Sequence, residues 1–104
     1  MSAEASPRPT VNVVATLTAA DGKAEELEAV LLSMLPASRA DDGCIRYELF
    51  RDGRDPNVFV FVEEWRDMDA VKAHGAQPHM AEAGNRMKGL LAGRPEIRYC
   101  RHVG

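Results

Sequence analysis

The sequence is poor in the residues that announce a cofactor or a covalent framework. Among 104 residues there are two cysteines and one tryptophan, and aromatic side chains make up only 6%. Cys44 and Cys100 provide neither a disulfide scaffold nor the paired spacing of a zinc site, so both are expected as buried free thiols and no metal is expected. No apolar run approaches the eighteen or so residues that cross a bilayer. The opening residues also lack the apolar stretch of a secretion signal, so the expectation is a cytoplasmic protein without a membrane partner. Neither sign of charge dominates. Thirteen Lys and Arg alternate with sixteen Asp and Glu to a net −3, which argues against nucleic acid as a partner.

What is present describes one folded domain. Hydrophobic residues make up 45% and charged residues 28%, a globular balance. A chain of this length buries roughly 65% of its unfolded surface, enough for a single thin core, so self-association is expected to help. Residues 1–10, with Ser2, Ser6, Pro7 and Pro9, read as a flexible tail, and residues 11–104 as the domain.

Val11 to Thr18 is rich in Val and Thr and reads as a strand that Asp21 and Gly22 interrupt. Ala24, Leu27, Val30, Leu31 and Met34 then repeat at helical spacing, with Asp21 as the expected cap and Glu25 and Glu26 at the positive end of the dipole. Pro36 is expected to kink or end this helix, leaving a polar turn from Ser38 to Gly43. Cys44 to Arg51 reads as a second strand, joined through the turn-forming residues 52–57 to a third. That third strand begins with an unbroken apolar run, Val58 to Val62, which predicts that both of its faces are covered. Asp67 to His74 reads as a short helix capped by Asp67, and Pro78 as the first turn of another. Met80, Ala83, Met87, Leu90 and Leu91 continue that second helix to an expected end at Gly93. Ile97, Tyr99 and Arg101 alternate with polar residues in a last strand.

Strand, helix, strand, strand, helix pair, strand is the order of a ferredoxin-like α+β fold, a four-stranded antiparallel sheet with its helices on one face. In the spatial order four, one, three, two, strand three is central and the face away from the helices is bare. A twofold homodimer with sheets face to face would cover it. The same order places Cys44 and Cys100 on opposite edges, too far apart for an intrachain disulfide.

The run Phe61-Val-Glu-Glu-Trp65-Arg-Asp, followed by His74 and Gln77-Pro78-His79, resembles the antibiotic biosynthesis monooxygenase family, in particular its small quinol-monooxygenase-like members. Gly43-Cys-Ile-Arg-Tyr47-Glu-Leu fits the same pattern, and the likeness extends from about Val11 to His102. The resemblance implies ferredoxin-like dimers forming an α+β barrel. It also implies oxygenation of quinol-like or polycyclic aromatic substrates by molecular oxygen, with no metal, flavin or haem. Members that oxidise polyketide anthrones carry an Asn four residues before the strand-three Trp, where this chain has Phe61. The haem-degrading branch is less similar, since Ala15, His74 and the neighbourhood of Gly84 stand where that branch has its Asn, Trp and iron-binding His.

Oxygenation without a cofactor requires the substrate itself to donate electrons, and removing a phenolic proton gives it an electron-rich anion. His is suited to take such a proton because its unperturbed pKa, about 6.5, lies near working pH. His74 is therefore the candidate base, beside the alternative of a helix C-terminal His bonding exposed carbonyls. Trp65 is the second candidate catalytic residue, as a flat wall with an N–H donor, or else a core or interface residue. Strand period two puts Phe59, Phe61, Glu63 and Trp65 on one face, so Phe59, Phe61 and Glu63 are candidate substrate contacts. Tyr47 and His79 join them; His102 is expected at the surface. The alternatives to an oxygenase are a non-catalytic small-molecule-binding or scaffold member of the fold and, behind it, a haem-degrading monooxygenase.

Overall fold

The structure is a computed structural model that describes residues 9–104. The expected tail therefore lies outside the described residues except for Pro9 and Thr10. The elements run β1 (Val11–Thr18), α1 (Ala24–Ser33), α2 (Leu35–Ala40), β2 (Cys44–Arg51), β3 (Val58–Trp65), α3 (Met68–Gly75), α4 (Pro78–Arg86) and β4 (Glu96–Cys100). The strands form one antiparallel sheet in the order β2-β3-β1-β4, so the fold is the ferredoxin-like α+β arrangement. No helix among the described residues is long and apolar enough to cross a membrane.

Alternation along the two central strands decides what the core contains. Val13, Ala15 and Leu17 of β1 and Phe59, Phe61, Glu63 and Trp65 of β3 point beneath the helices and are buried. Leu27, Val30 and Leu31 of α1 close over them, as their three-and-four spacing requires. The opposite face carries Val14, Val60, Val62 and Phe50, which are half-buried or exposed. Val58 to Val62 is thus covered on one face only within a protomer, and the expectation that both faces are covered is not met by this chain alone.

Several local expectations are corrected. Asp21 does not cap α1, whose N-cap position is Lys23 with no side-chain bond. Ser38 to Ala40 is not a turn: Pro36 sits in the first turn of α2, where its missing N–H costs nothing, and Ser38 is fully buried. The second helix of the late pair ends at Arg86 rather than at Gly93. Gly89 adopts φ +82 just beyond it, and Leu90 and Leu91 leave the helical path to pair with the end of β1, where Ala20 N–H donates to Leu90 O at 2.8 Å. Cys44 and Cys100 are free thiols on the two edge strands, but neither is buried: Cys44 is half-buried and Cys100 exposed.

Candidate functional site

A cavity of about 220 Å³ opens between the sheet and the helices. Val13, Ala15 and Leu17 form its floor, Phe61 and Tyr47 one wall, and Met34, Met80 and Met87 its roof, so its lining is overwhelmingly apolar. Ile97 and Tyr99 of β4 rim it, brought there by pairing with Ala15 and Val13. Three polar side chains converge on it from different elements: Tyr47 from β2, Glu63 from β3 and His74 from α3. A mostly apolar pocket with a few convergent polar groups is the usual form of a small-molecule site.

His74 reaches this wall because of how α3 starts and stops. Asp67 accepts a hydrogen bond from Ala70 N–H at 2.8 Å, setting the first turn, and seven residues later the imidazole emerges in the last. The ring packs against Trp65 at 4.5 Å between ring centres and edge-on to Tyr47 at 5.5 Å. Its Nδ1 lies 2.7 Å from Asp41 Oδ2. With Nδ1 donating to that carboxylate, Nε2 is left as the basic nitrogen of the neutral ring.

Asp41 is the residue that sequence reasoning missed. It follows α2 and receives three side-chain contacts: His74 Nδ1, His79 Nε2 at 2.9 Å on the same oxygen, and Gln77 Nε2 donating to Oδ1 at 3.0 Å. Its side chain is only 8% exposed. Burial pushes its carboxyl upward, but the hydrogen bonds and charges of His74 and His79 outweigh this and hold it below the usual range. The neighbouring Asp42 is 90% exposed and pairs instead with Arg66. Gly43 makes the geometry possible: with φ +85 it lets the loop pass α3 so closely that a Cβ there would stand 2.5 Å from that of Ala70. The signal for Asp41 in the sequence is no more than an acidic residue near a Gly turn.

The other expected site residues divide. Tyr47, Phe61 and Glu63 border the cavity together with His74. Burial, and then the Glu63 charge, push the Tyr47 phenol far above its ordinary range, so its hydroxyl stays protonated as a donor. Burial likewise raises Glu63, although the Trp65 indole N–H donates to its Oε1 at 2.8 Å. Trp65 does not wall the cavity; it is fully buried behind Glu63 and His74, where it fixes both. Phe59 does not border it either, lying under the Arg51 guanidinium 5.0 Å from its ring centre. His79 sits one step further out, bonded to Asp41 rather than lining the space. His102 is exposed near the chain end.

Fold and site together define a ferredoxin-like α+β domain built around an apolar cavity, with a carboxylate–imidazole pair at the cavity wall. The chain belongs to the antibiotic biosynthesis monooxygenase family, whose model matches residues 10–86. It is 34% identical over 76 residues to the uncharacterized protein sll1783 of Synechocystis, covering 73% of this chain, and it spans about half (52%) of that relative's length. It is also 34% identical over 70 residues to "Putative monooxygenase YcnE" of Bacillus subtilis, covering 67% of this chain and 74% of that one. Among solved structures, PA3566 of Pseudomonas aeruginosa superposes with a TM-score of 0.88 at 31% identity, over 95% of this chain and 99% of that one. Family and names support a monooxygenase-like role.

Proposed function

We propose that this protein oxygenates a small aromatic alcohol of the quinol type with molecular oxygen, using the substrate anion rather than a flavin or haem as the electron donor. The observation that carries the reading is the Asp41–His74 pair at the wall of an apolar cavity. A hydroxyl held beside His74 gives its proton to Nε2, and the anion left behind passes one electron to oxygen. The substrate radical and superoxide then join through a carbon–oxygen bond, and the O–O bond of the resulting peroxide breaks with release of water, leaving one oxygen atom on the ring. Asp41 is a positioning residue that fixes the tautomer and offsets the positive charge on the ring. Tyr47 donates a hydrogen bond to the developing oxyanion, and Phe61 packs against the aromatic ring. A volume of about 220 Å³ falls below the roughly 300–1,000 Å³ of drug-sized ligand sites. It favours one or two fused rings over a larger polycycle.

A second part of the proposal concerns the bare sheet face. Val14 and Val62 stand opposite each other there, and Val60 is flanked by Phe50 and Thr16. A second copy stacked on this apolar face by a twofold axis would bury it.

Oxygen consumption with a panel of quinols tests the reaction. The wild-type chain is expected to consume oxygen above the uncatalysed rate, and His74→Ala to lose at least about a hundredfold in kcat. Asp41→Asn should lower kcat with little change in KM. Unchanged uptake in His74→Ala would remove that residue from the reaction. Quinol binding without oxygen consumption by the wild type would favour a binding module instead.

A further inference from the structure

We propose that Asp41, His74 and His79 form a binding site for a nitrogen-preferring first-row divalent cation such as Zn²⁺. The site shares Asp41 and His74 with the cavity wall and adds His79, which does not line the cavity. The three side chains come from the loop after α2, the end of α3 and the start of α4, and their candidate ligand atoms all lie within 4.8 Å of one another. Asp41 Oδ2 stands 2.7 Å from His74 Nδ1 and 2.9 Å from His79 Nε2. Ligands about 2.1 Å from one ion at the tetrahedral angle zinc prefers are roughly 3.4 Å apart, so both imidazole nitrogens have to draw back from Oδ2 by roughly half an ångström or more as a metal enters. Two imidazoles and one carboxylate are a donor set that suits zinc, iron, cobalt or nickel; the oxygen-seeking Mg²⁺ and Ca²⁺ prefer more carboxylates and carbonyls.

The surroundings support a metal as well as the ligands do. Gln77 occupies the other carboxylate oxygen, Oδ1, at 3.0 Å, which orients Asp41 to ligate through Oδ2 alone. His74 cannot swing freely, because Trp65 and Tyr47 pack against its ring. No Lys or Arg among the described residues bonds Asp41, so no fixed cation already holds the place of a metal ion. Two protein imidazoles and one carboxylate leave further coordination positions for water or a small ligand. A metal on His74 Nδ1 forces the ring proton onto Nε2, so the metal-bound and proton-accepting states of this ring exclude each other.

Titration of metal-free protein with Zn²⁺ by calorimetry and with Co²⁺ by visible absorption tests the site without any assay of activity, so its failure is distinguishable from failure of the oxygenase reading. One ion per chain is expected, with visible Co²⁺ bands that report bound nitrogen ligands. His79→Ala and, independently, His79→Gln should each weaken Zn²⁺ at least about tenfold while far-ultraviolet circular dichroism shows the fold retained. Gln77→Ala should weaken it less, and His102→Ala not at all. No saturable Zn²⁺ binding, or binding that both His79 variants leave unchanged, would overturn the proposal.

Discussion

The two faces of strand β3 differ by one residue step and by almost everything else. Phe59, Phe61 and Trp65 are 1%, 3% and 0% exposed, whereas Val58, Val60 and Val62 on the other side remain partly open. Both sets are apolar, so hydrophobicity does not separate them; only the helices do, because all of them pack on one face. One face therefore provides stability and the cavity, and the other is free to take part in association. The inward set also contains the single acid, Glu63, which the same burial makes reluctant to ionise.

Breaking the inward face should have the largest effect. Trp65→Ala removes a fully buried indole and is expected to cost about 3–5 kcal/mol in urea unfolding, while Val62→Ala on the outer face costs less than about 1.5 kcal/mol in the same measurement. If the two deletions cost the same, the protomer does not distinguish the faces. Gly43→Ala comes next. A positive φ costs a non-glycine residue roughly 1–2 kcal/mol, and the clash with Ala70 adds to it. A total of about 2–4 kcal/mol is expected by chemical denaturation, together with loss of the Asp41–His74 contact, which the His74 ring signals in nuclear magnetic resonance would show.

Glu63→Gln sharpens the contrast within the inward face. Burial raises the folded pKa of Glu63 above its unfolded value, so the wild type loses stability as pH rises from the usual carboxylate range through that raised value. Gln keeps an oxygen for the Trp65 indole but carries no charge. The variant should melt a few degrees higher at pH 7, and the advantage should vanish below the ordinary Glu range. A pH-independent difference would mean that the charge is not the cause. The smallest effect on protomer stability, within about 1 kcal/mol, is expected for Val60→Lys on the outer face. Light scattering is the decisive measurement there: the proposed dimer predicts a shift from two-chain to one-chain mass, and an unchanged mass would show that this face is not the interface.

The fold was legible wherever the signal was local. Val11–Thr18, Cys44–Arg51 and the turn between the latter and β3 are written in alternation and turn residues, which act over a few positions. The end of the last helix was not. Leu90 and Leu91 continue its apolar spacing, yet the end of β1 takes them instead, through the bonds of Ala20 N–H to Leu90 O and of Ala92 N–H to Thr18 O. Half of the site was equally local: Tyr47, Phe61, Glu63 and His74 follow from strand period and helix placement, and they do meet at the cavity. Phe59 shares the strand face but lies too near the far end, under Arg51.

By itself the sequence determined the order of strands and helices, the inward and outward residues of β3, and the presence of an imidazole at the end of α3, because each depends on periodicity within a few residues. Only the tertiary structure decided which of two consecutive aspartates matters. Asp41 and Asp42 are chemically identical and adjacent, but Gly43 turns the chain so that one carboxylate enters a corner made by two later helices and the other stays in water with Arg66. That choice is set by contacts across more than thirty residues, which no local pattern encodes.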